Sequence, residues 1–362
     1  SSYGSGVMLL WHYRSLDQSL IAYSNREFYE SRLQVFPAPH IKSAASGVRY
    51  VAVPGVYSAR TNVIEARVCA QAAVEYMKRH PKRSLGIVAL NKPQAELIEL
   101  EIDRLIDQHT HAQEYRAYWD DGIEPLFVKN LESVQGDERD TIFISTVFGN
   151  DVDGNFFQRF GPINSMAGHR RLNVLFTRAK HQVVVFSSIP IEKITISPES
   201  HWGARALKGY LEYAKTGQIA TGRATGKSAD SPFEEAVRTA LKQAGFECEA
   251  QVGVAGFFID LAVINPANSD RFILGIECDG ASYHSSRSAR DRDRLRQEIL
   301  ENLGWTIVRV WSTDWFNDSQ RELYKLLEQI RDQVRKNPSA KAPSTVNFEG
   351  IIQRVSSGRE NS

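Results

Sequence analysis

Two acids two residues apart close an apolar run: residues 272–280 read FILGIECDG, with Glu277 and Asp279 near its end. The apolar, β-branched character marks a strand. Side chains alternate faces along a strand, so the two carboxylates share one face and Cys278 takes the other. At roughly 4–6 Å and an effective dielectric near 20, their repulsion is about 3–4 kcal/mol. The pair asks for a cation, a shared proton or water, and a strand end that has simply reached solvent accounts for it equally well.

Upstream, residues 256–264 read GFFIDLAVI, an apolar run broken once, by Asp260. A run apolar on both faces belongs to a strand covered on both sides, where an unpaired carboxylate is expensive. If the two strands are neighbours, Asp260, Glu277 and Asp279 converge. Further upstream Ser231-Pro232-Phe233-Glu234 opens a helix. Serine, proline in the first turn and glutamate three residues after the serine make a capping box. Glu234 is therefore open as a helix cap, as a fourth acid of the site, or as both.

These residues must be held by elements, and the pattern predicts them in order. A helix (231–244), three strands (246–252, 257–264, 271–279), a helix (288–303) and a strand (305–311) follow one another. This order, with Asp on the second strand and Glu-x-Asp on the third, resembles the PD-(D/E)XK nuclease core. The likeness is to the very-short-patch-repair type of endonuclease domain attached to bacterial helicase-like proteins. It is carried by SPFEEAV, FFIDLAV, LGIECDGASYH, ARDRDRLRQEIL and LGWTIVRVWSTDW, between residues 231 and 315. One departure stands out: Asp279 occupies the place where the wider superfamily has lysine.

The resemblance implies metal-dependent phosphodiester hydrolysis. Mg²⁺ or Mn²⁺ held by carboxylates activates a water and clamps the phosphate oxygens. Asp260 and Glu277 are then the primary ligands, and Asp279 is a further ligand or the holder of the attacking water. Glu234 orients a second metal or a water. His284 protonates the leaving oxygen or touches the phosphate, although an ordinary loop histidine fits as well. Arg290, Arg294 and Gln297, on the following helix, are candidates for the missing lysine's role and for the scissile phosphate. A solvated, salt-bridged face accounts for Arg292, Asp293 and Arg296.

The first half alternates strands (49–54, 84–90, 126–129, 140–147, 182–188) with helices, which predicts a parallel α/β layer. Asn62-Val63-Ile64-Glu65 caps one helix, and residues 92–108 form another. Four blocks carry the functional signal: WHYRS from Trp11, LNKPQ from Leu90, SVQGDERD from Ser133, and HRRLNVLFTRAK from His169. Together they resemble motifs IV, V and VI of superfamily 1 helicases of the up-frameshift type. The resemblance implies that Arg14 and Arg178 stand at a nucleotide's γ-phosphate, where an arginine finger contributes about 10³–10⁵ in rate. It implies that Gln135, Gly136 and Glu138 link the nucleotide cleft to the nucleic-acid groove. Arg171, two helical turns before Arg178, is expected on the same helix face.

A helicase motor also needs a Walker A loop and an acidic Walker B strand, and neither is read here. TGRATGKS at 221–228 ends in GKS, but threonine stands where the first glycine belongs and no apolar strand precedes it. It reads as linker, so the chain is not expected to hydrolyse ATP without a first RecA-like domain.

With 44 Lys and Arg against 43 Asp and Glu, net charge says nothing about partners. Three scattered cysteines give neither a disulfide framework nor a zinc pattern. There is no apolar run of 18 residues and no signal peptide, so the expectation is a cytoplasmic, bacterial, nucleoid-associated protein with no membrane partner. Residue 1 is serine, and SSYGSG reads as a scar or a cut end, so a fragment is expected.

The fold class read from all this is α/β, a RecA-like parallel-sheet domain followed by a restriction-endonuclease-like α/β domain. The expected divisions are 1–190 (second RecA-like domain), 191–229 (helix and flexible linker), 230–318 (endonuclease-like) and 319–362 (helix and loosely ordered tail). The expected partners are DNA and a missing N-terminal helicase domain. The alternatives are a non-catalytic DNA-binding module and an RNA-directed helicase or nuclease.

Overall fold

Capped helices alternating with apolar strands give the chain its elements. The protein is described as a computed structural model, covering residues 11–12, 15, 17–37, 39, 46–217, 231–254, 257–280, 287–336 and 345–358. The first elements are β1 (Trp11–His12), α1 (Ser19–Tyr29), β2 (Gln34–Val35), β3 (Gly47–Ala52) and α2 (Val63–Arg79). Next come β4 (Leu85–Ala89), α3 (Lys92–Gln108), α4 (Thr110–Asp120), β5 (Phe127–Asn130) and β6 (Arg139–Gly149). Then follow α5 (Gly168–Phe176), β7 (Ala179–Ser188), α6 (Trp202–Thr216), α7 (Pro232–Gln243), β8 (Cys248–Val254) and β9 (Phe257–Asn265). The last are β10 (Asn268–Asp279), α8 (Arg287–Asn302), β11 (Ile307–Trp311), α9 (Ser312–Asn317), α10 (Ser319–Lys336) and α11 (Phe348–Ser356).

Two compact units result. The larger comprises Ser19–Phe28, Ala45–Thr221 and Ser344–Ser362. Its sheet runs β3-β7-β6-β4-β5, and every pair is parallel. Helices cover both faces, as buried parallel strands require. Tyr210, Leu207 and Phe176 pack on Ile142, Ile144 and Val183. Ala70, Ile98 and Ile106 pack on Ile87, Phe143 and Val184 on the other face. Asn62 and Asn91 cap α2 and α3, accepting the amides of Glu65 and Gln94.

The expected capping box at Asn62 is only half formed. Glu65 does not reach back to the cap. It enters the sheet, accepting from Ser145 Oγ (2.7 Å), Val147 N (2.7 Å) and Ser188 Oγ (2.8 Å).

The smaller unit comprises Ser1–Gln18, Tyr29–Ala44 and Gly222–Pro343. Its sheet runs β1-β2-β8-β9-β10-β11, antiparallel from β2 to β10 and parallel at β1–β2 and β10–β11. One core joins Phe233, Val237 and Leu241 of α7 with Leu261, Leu274, Ile276 and, from α10, Leu326 and Ile330. A second joins Leu300 and Leu303 with Ile259, Phe272, Trp305 and Phe36.

Two expectations change. Residues 29–44 belong to the smaller unit and not to the α/β domain: Trp305 Nε1 donates to the Pro37 carbonyl (2.8 Å) and Phe272 N to that of Pro39 (3.1 Å). The C-terminal stretch, read as a loose tail, contains α11, which buries Phe348 and Ile351 in the larger unit's core. Phe348, Ile351, Ile352 and Val355 recur at helical spacing, so the period was legible in the stretch, and only its short length and polar surroundings made it read as tail. No helix among the described residues is long and apolar enough to cross a membrane.

Candidate functional site

Strand register assembles the acids. β10 runs against β9 with Gly275 opposite Ala262 and Ile276 opposite Leu261. Beyond that pair Asp260 is the next residue of β9 and Glu277 the next of β10, and the Asp260 carboxylate reaches the Cys278 amide. On the other side Glu277 pairs with Arg309 of β11. Glu277 and Arg309 are directly opposed and so project to the same side of the sheet. Gly275 lies two residues before Glu277 on the same face. A Cβ there would meet Ile307 Cδ1 at 2.7 Å and Ile259 Cγ2 at 3.2 Å, so the sheet is tightly packed beside this pair.

Glu277 is 7% exposed and Glu234 is 6% exposed. Asp260 accepts the Cys278 amide at 2.8 Å. Burial pushes the Asp260 carboxyl up, and the Cys278 amide and Arg296 only partly oppose this. Burial likewise raises Glu277, against the pull of Arg296 and Arg309 and with the push of Asp260. At the start of α7, Ser231 accepts the Glu234 amide (3.2 Å) and donates to Glu234 Oε1 (3.0 Å). Gln251 Nε2 donates to Glu234 Oε2 at 2.9 Å. Glu234 is thus both part of a helix cap and an acid close enough to raise Asp260.

The cations beside these acids differ from those expected. Arg296 Nη2 lies 3.0 Å from Glu277 Oε1 and donates to the Phe258 carbonyl at 2.9 Å. Arg309 Nη1 lies 3.7 Å from Asp279 Oδ2. Arg294 instead pairs with Glu298 at the surface, and Gln297 donates to Glu301. Arg296 was assigned to a solvated face. The signal for it was there: it precedes buried Leu300 by one helical turn, which turns it toward the sheet. Arg309 alternates with Val308 and Val310, and so shares the face of Glu277. His284 and the Arg290 side chain lie outside the described residues.

Among the described residues, no group of three His, Cys, Asp or Glu side chains surrounds one ion position. Asp260 and Glu277 nevertheless offer the hard oxygens a divalent cation takes. Glu277 Oε1 is buried without a hydrogen bond of regular geometry.

In the larger unit, Gln135 and Gly136 are exposed in the turn between β5 and β6, where Gly136 has φ 94°, a value that favours glycine. Glu138 is half-buried at the end of that turn. Arg171 of α5 pairs with Glu132 of the same turn at 3.2 Å. Arg178 does not share a helix face with Arg171, because α5 ends at Phe176. Its Nε donates to the Val174 carbonyl (2.8 Å), placing a cation on the helix C-terminus. Gln94 is fully buried and holds Asn62 through both backbone groups. Arg14 lies outside the described residues.

Comparison with known proteins follows the same division. The family model described as AAA domain matches residues 46–189, and the REase_MTES_1575 model matches residues 233–330. The chain joins a helicase-like domain to a restriction-endonuclease-like one. The parallel sheet is accordingly RecA-like, and the mixed sheet with its flanking helices is the restriction-endonuclease-like α/β domain.

Two curated relatives extend over both parts. MG140 of Mycoplasma genitalium, named an uncharacterized ATP-dependent helicase, is 29% identical over 325 residues, 85% of this chain. Its homologue in Mycoplasma pneumoniae is 28% identical over 330 residues, also 85% of this chain. The chain spans 28% of the length of either relative. A solved C-terminal domain of a possible DNA helicase from Lactobacillus plantarum covers 54% of this chain and 93% of its own. Its identity is 16% and its TM-score 0.29, an overlap too loose to inform the fold.

Proposed function

We propose that the restriction-endonuclease-like domain hydrolyses phosphodiester bonds in DNA with the help of a divalent cation, Mg²⁺ or Mn²⁺. The observation that supports this reading is the cluster of acids from neighbouring elements, buried Glu277 and Glu234 with half-buried Asp260, close enough to act on one another. When bound, the cation lowers the pKa of a water and steadies charge on the phosphate oxygens. Asp260 and Glu277 would hold it. Glu234, kept in place by Ser231 and Gln251, orients the water side of the site. Asp279 positions the attacking water, and His284 meets the leaving oxygen. Arg296 and Arg309 bring the positive charge that lysine supplies in the wider superfamily, here as planar guanidinia suited to a phosphate. Arg290, Arg294 and Gln297 remain candidates for contacts to the DNA backbone, which would carry little sequence information.

The helicase-like domain is proposed as the second RecA-like half of an up-frameshift-type motor, with Arg14 and Arg178 directed at nucleotide phosphate. Gln135, Gly136, Glu138 and Arg171 form its coupling surface. ATP hydrolysis belongs to the motor completed by a first RecA-like domain. The nuclease domain is of the very-short-patch-repair type in this reading.

A second reading has a specific observation behind it. Arg296 and Arg309 already neutralise Glu277 and Asp279, as they would in a DNA-binding module that never cleaves. The test is cleavage of plasmid, branched DNA and matched RNA with Mg²⁺ and Mn²⁺, comparing wild type with Asp260→Ala. The nuclease reading expects metal-dependent nicking of DNA that Asp260→Ala reduces by at least about 10²-fold. Equal inertness of both proteins with DNA binding intact would leave the binding module, and preferential cleavage of RNA would change the substrate.

A further inference from the structure

The acids of the smaller unit already have a cation, and it comes from the chain itself. Arg296 Nη2 stands between the Phe258 carbonyl of β9 and Glu277 Oε1 of β10. The contact to Phe258 is a regular hydrogen bond. The contact to Glu277 is electrostatic only, since Oε1 makes no hydrogen bond of acceptable angle. Arg296 is thus hydrogen-bonded to the backbone and ion-paired with the carboxylate. Glu277 Oε2 and Asp260 Oδ1 receive no hydrogen bond from any described residue. Among the described residues nearby, Arg309 pairs with Asp279 and Arg294 with Glu298.

Resting on the metal-dependent reading above, we propose that Arg296 is the site's resident counter-cation, which a divalent ion must displace from Glu277 in order to bind. In the absence of metal, Arg296 offsets the negative charge that Glu277 and its neighbouring acids bring to the strand ends. A guanidinium and a divalent cation cannot share the same carboxylate edge, because they repel each other and need the same oxygen. The apparent metal affinity is then the intrinsic affinity reduced by the fraction of time the arginine is away. A contact closed about nine-tenths of the time weakens binding roughly tenfold. The backbone anchor at Phe258 keeps the displaced guanidinium within the site, facing the position where a phosphate would enter.

The experiment is calorimetric titration of MnCl₂ into the full chain at pH 8 and low salt, for wild type, Arg296→Gln, Arg296→Lys and Glu277→Gln, each checked for folding by circular dichroism. Arg296→Gln is expected to bind Mn²⁺ roughly tenfold more tightly than wild type. Arg296→Lys should fall between them, because an ammonium keeps the charge but is more strongly hydrated and less well placed to reach both the Phe258 carbonyl and Glu277. Glu277→Gln should lose the binding. If Arg296→Gln binds no more tightly than wild type while Glu277→Gln abolishes binding, the counter-cation role is overturned and the metal-dependent reading stands. If no Mn²⁺ binds to wild type or to either Arg296 variant, both fall. Should Arg296→Gln fail to fold, Arg296→Lys decides alone, and an affinity equal to wild type overturns the proposal.

Discussion

Glu65 is wholly buried, and its partners are all neutral donors: two serine hydroxyls and the Val147 amide. Burial raises its pKa from 4.5 to about 7, more than these bonds lower it. Between those values the folded state holds a proton that the unfolded chain has released, so stability is fully present below pH 4.5 and declines as pH rises through 7. The interval corresponds to roughly 3 kcal/mol. Denaturant unfolding between pH 5 and 8 should show this decline, and Glu65→Gln, which cannot ionise, should flatten it by about that amount. An unchanged slope in the variant would place the proton elsewhere. Asp260 and Glu277 are raised by burial as well and act in the same direction in the smaller unit. Glu65 also shows how far a motif can be read: its spacing from Asn62 marked the helix start correctly, but only the neighbouring strands determined where its carboxylate goes.

At the level of elements, α11 is the least foreseen and the most testable. It packs Phe348 and Ile351 against the core shared by α2 and β7, with the Phe348 and Phe186 rings edge to face at 5.7 Å. Arg49 of β3 lies over the Phe348 ring at 4.4 Å. Ile351→Ala should therefore destabilise the larger unit by about 2–5 kcal/mol, the usual range for emptying a buried aliphatic site. A thermal melt unchanged by that substitution would mean that α11 does not pack as described. The strands of the two sheets were easier to read, because β-branched runs such as VVVF in β7 and FILGI in β10 have one consistent preference. The reach of Arg296 was legible only in part, since its spacing from Leu300 turns it toward the sheet but does not say which acid it meets. A helix face with alternating charges looks solvated until the sheet beneath it is known.

For the whole molecule, the smaller unit draws on three stretches of chain. β2, Phe36 and the carbonyls of Pro37 and Pro39 complete an edge and a core that residues 222–343 alone leave open. A fragment of residues 222–343 should melt at a lower temperature than the same fragment carrying residues 29–44 on a linker. Trp305 fluorescence should be quenched by solvent more strongly in the shorter one. Equal melting temperatures would show that the N-terminal stretch adds nothing to this unit.

The order of helices and strands, the apolar surroundings of Asp260 and the shared face of Glu277 and Asp279 follow from the sequence itself, because they rest on short-range periodicity and on the high cost of burying a carboxylate. The blocks resembling helicase and nuclease motifs were legible for the same local reason. Tertiary structure alone decided which arginines face the acids, why Arg178 caps α5 instead of lying beside Arg171, and that residues 29–44 and α11 pack away from their sequence neighbours. Each of these depends on contacts between residues far apart in the chain, whose energies arise only once strands are in register and helices are docked.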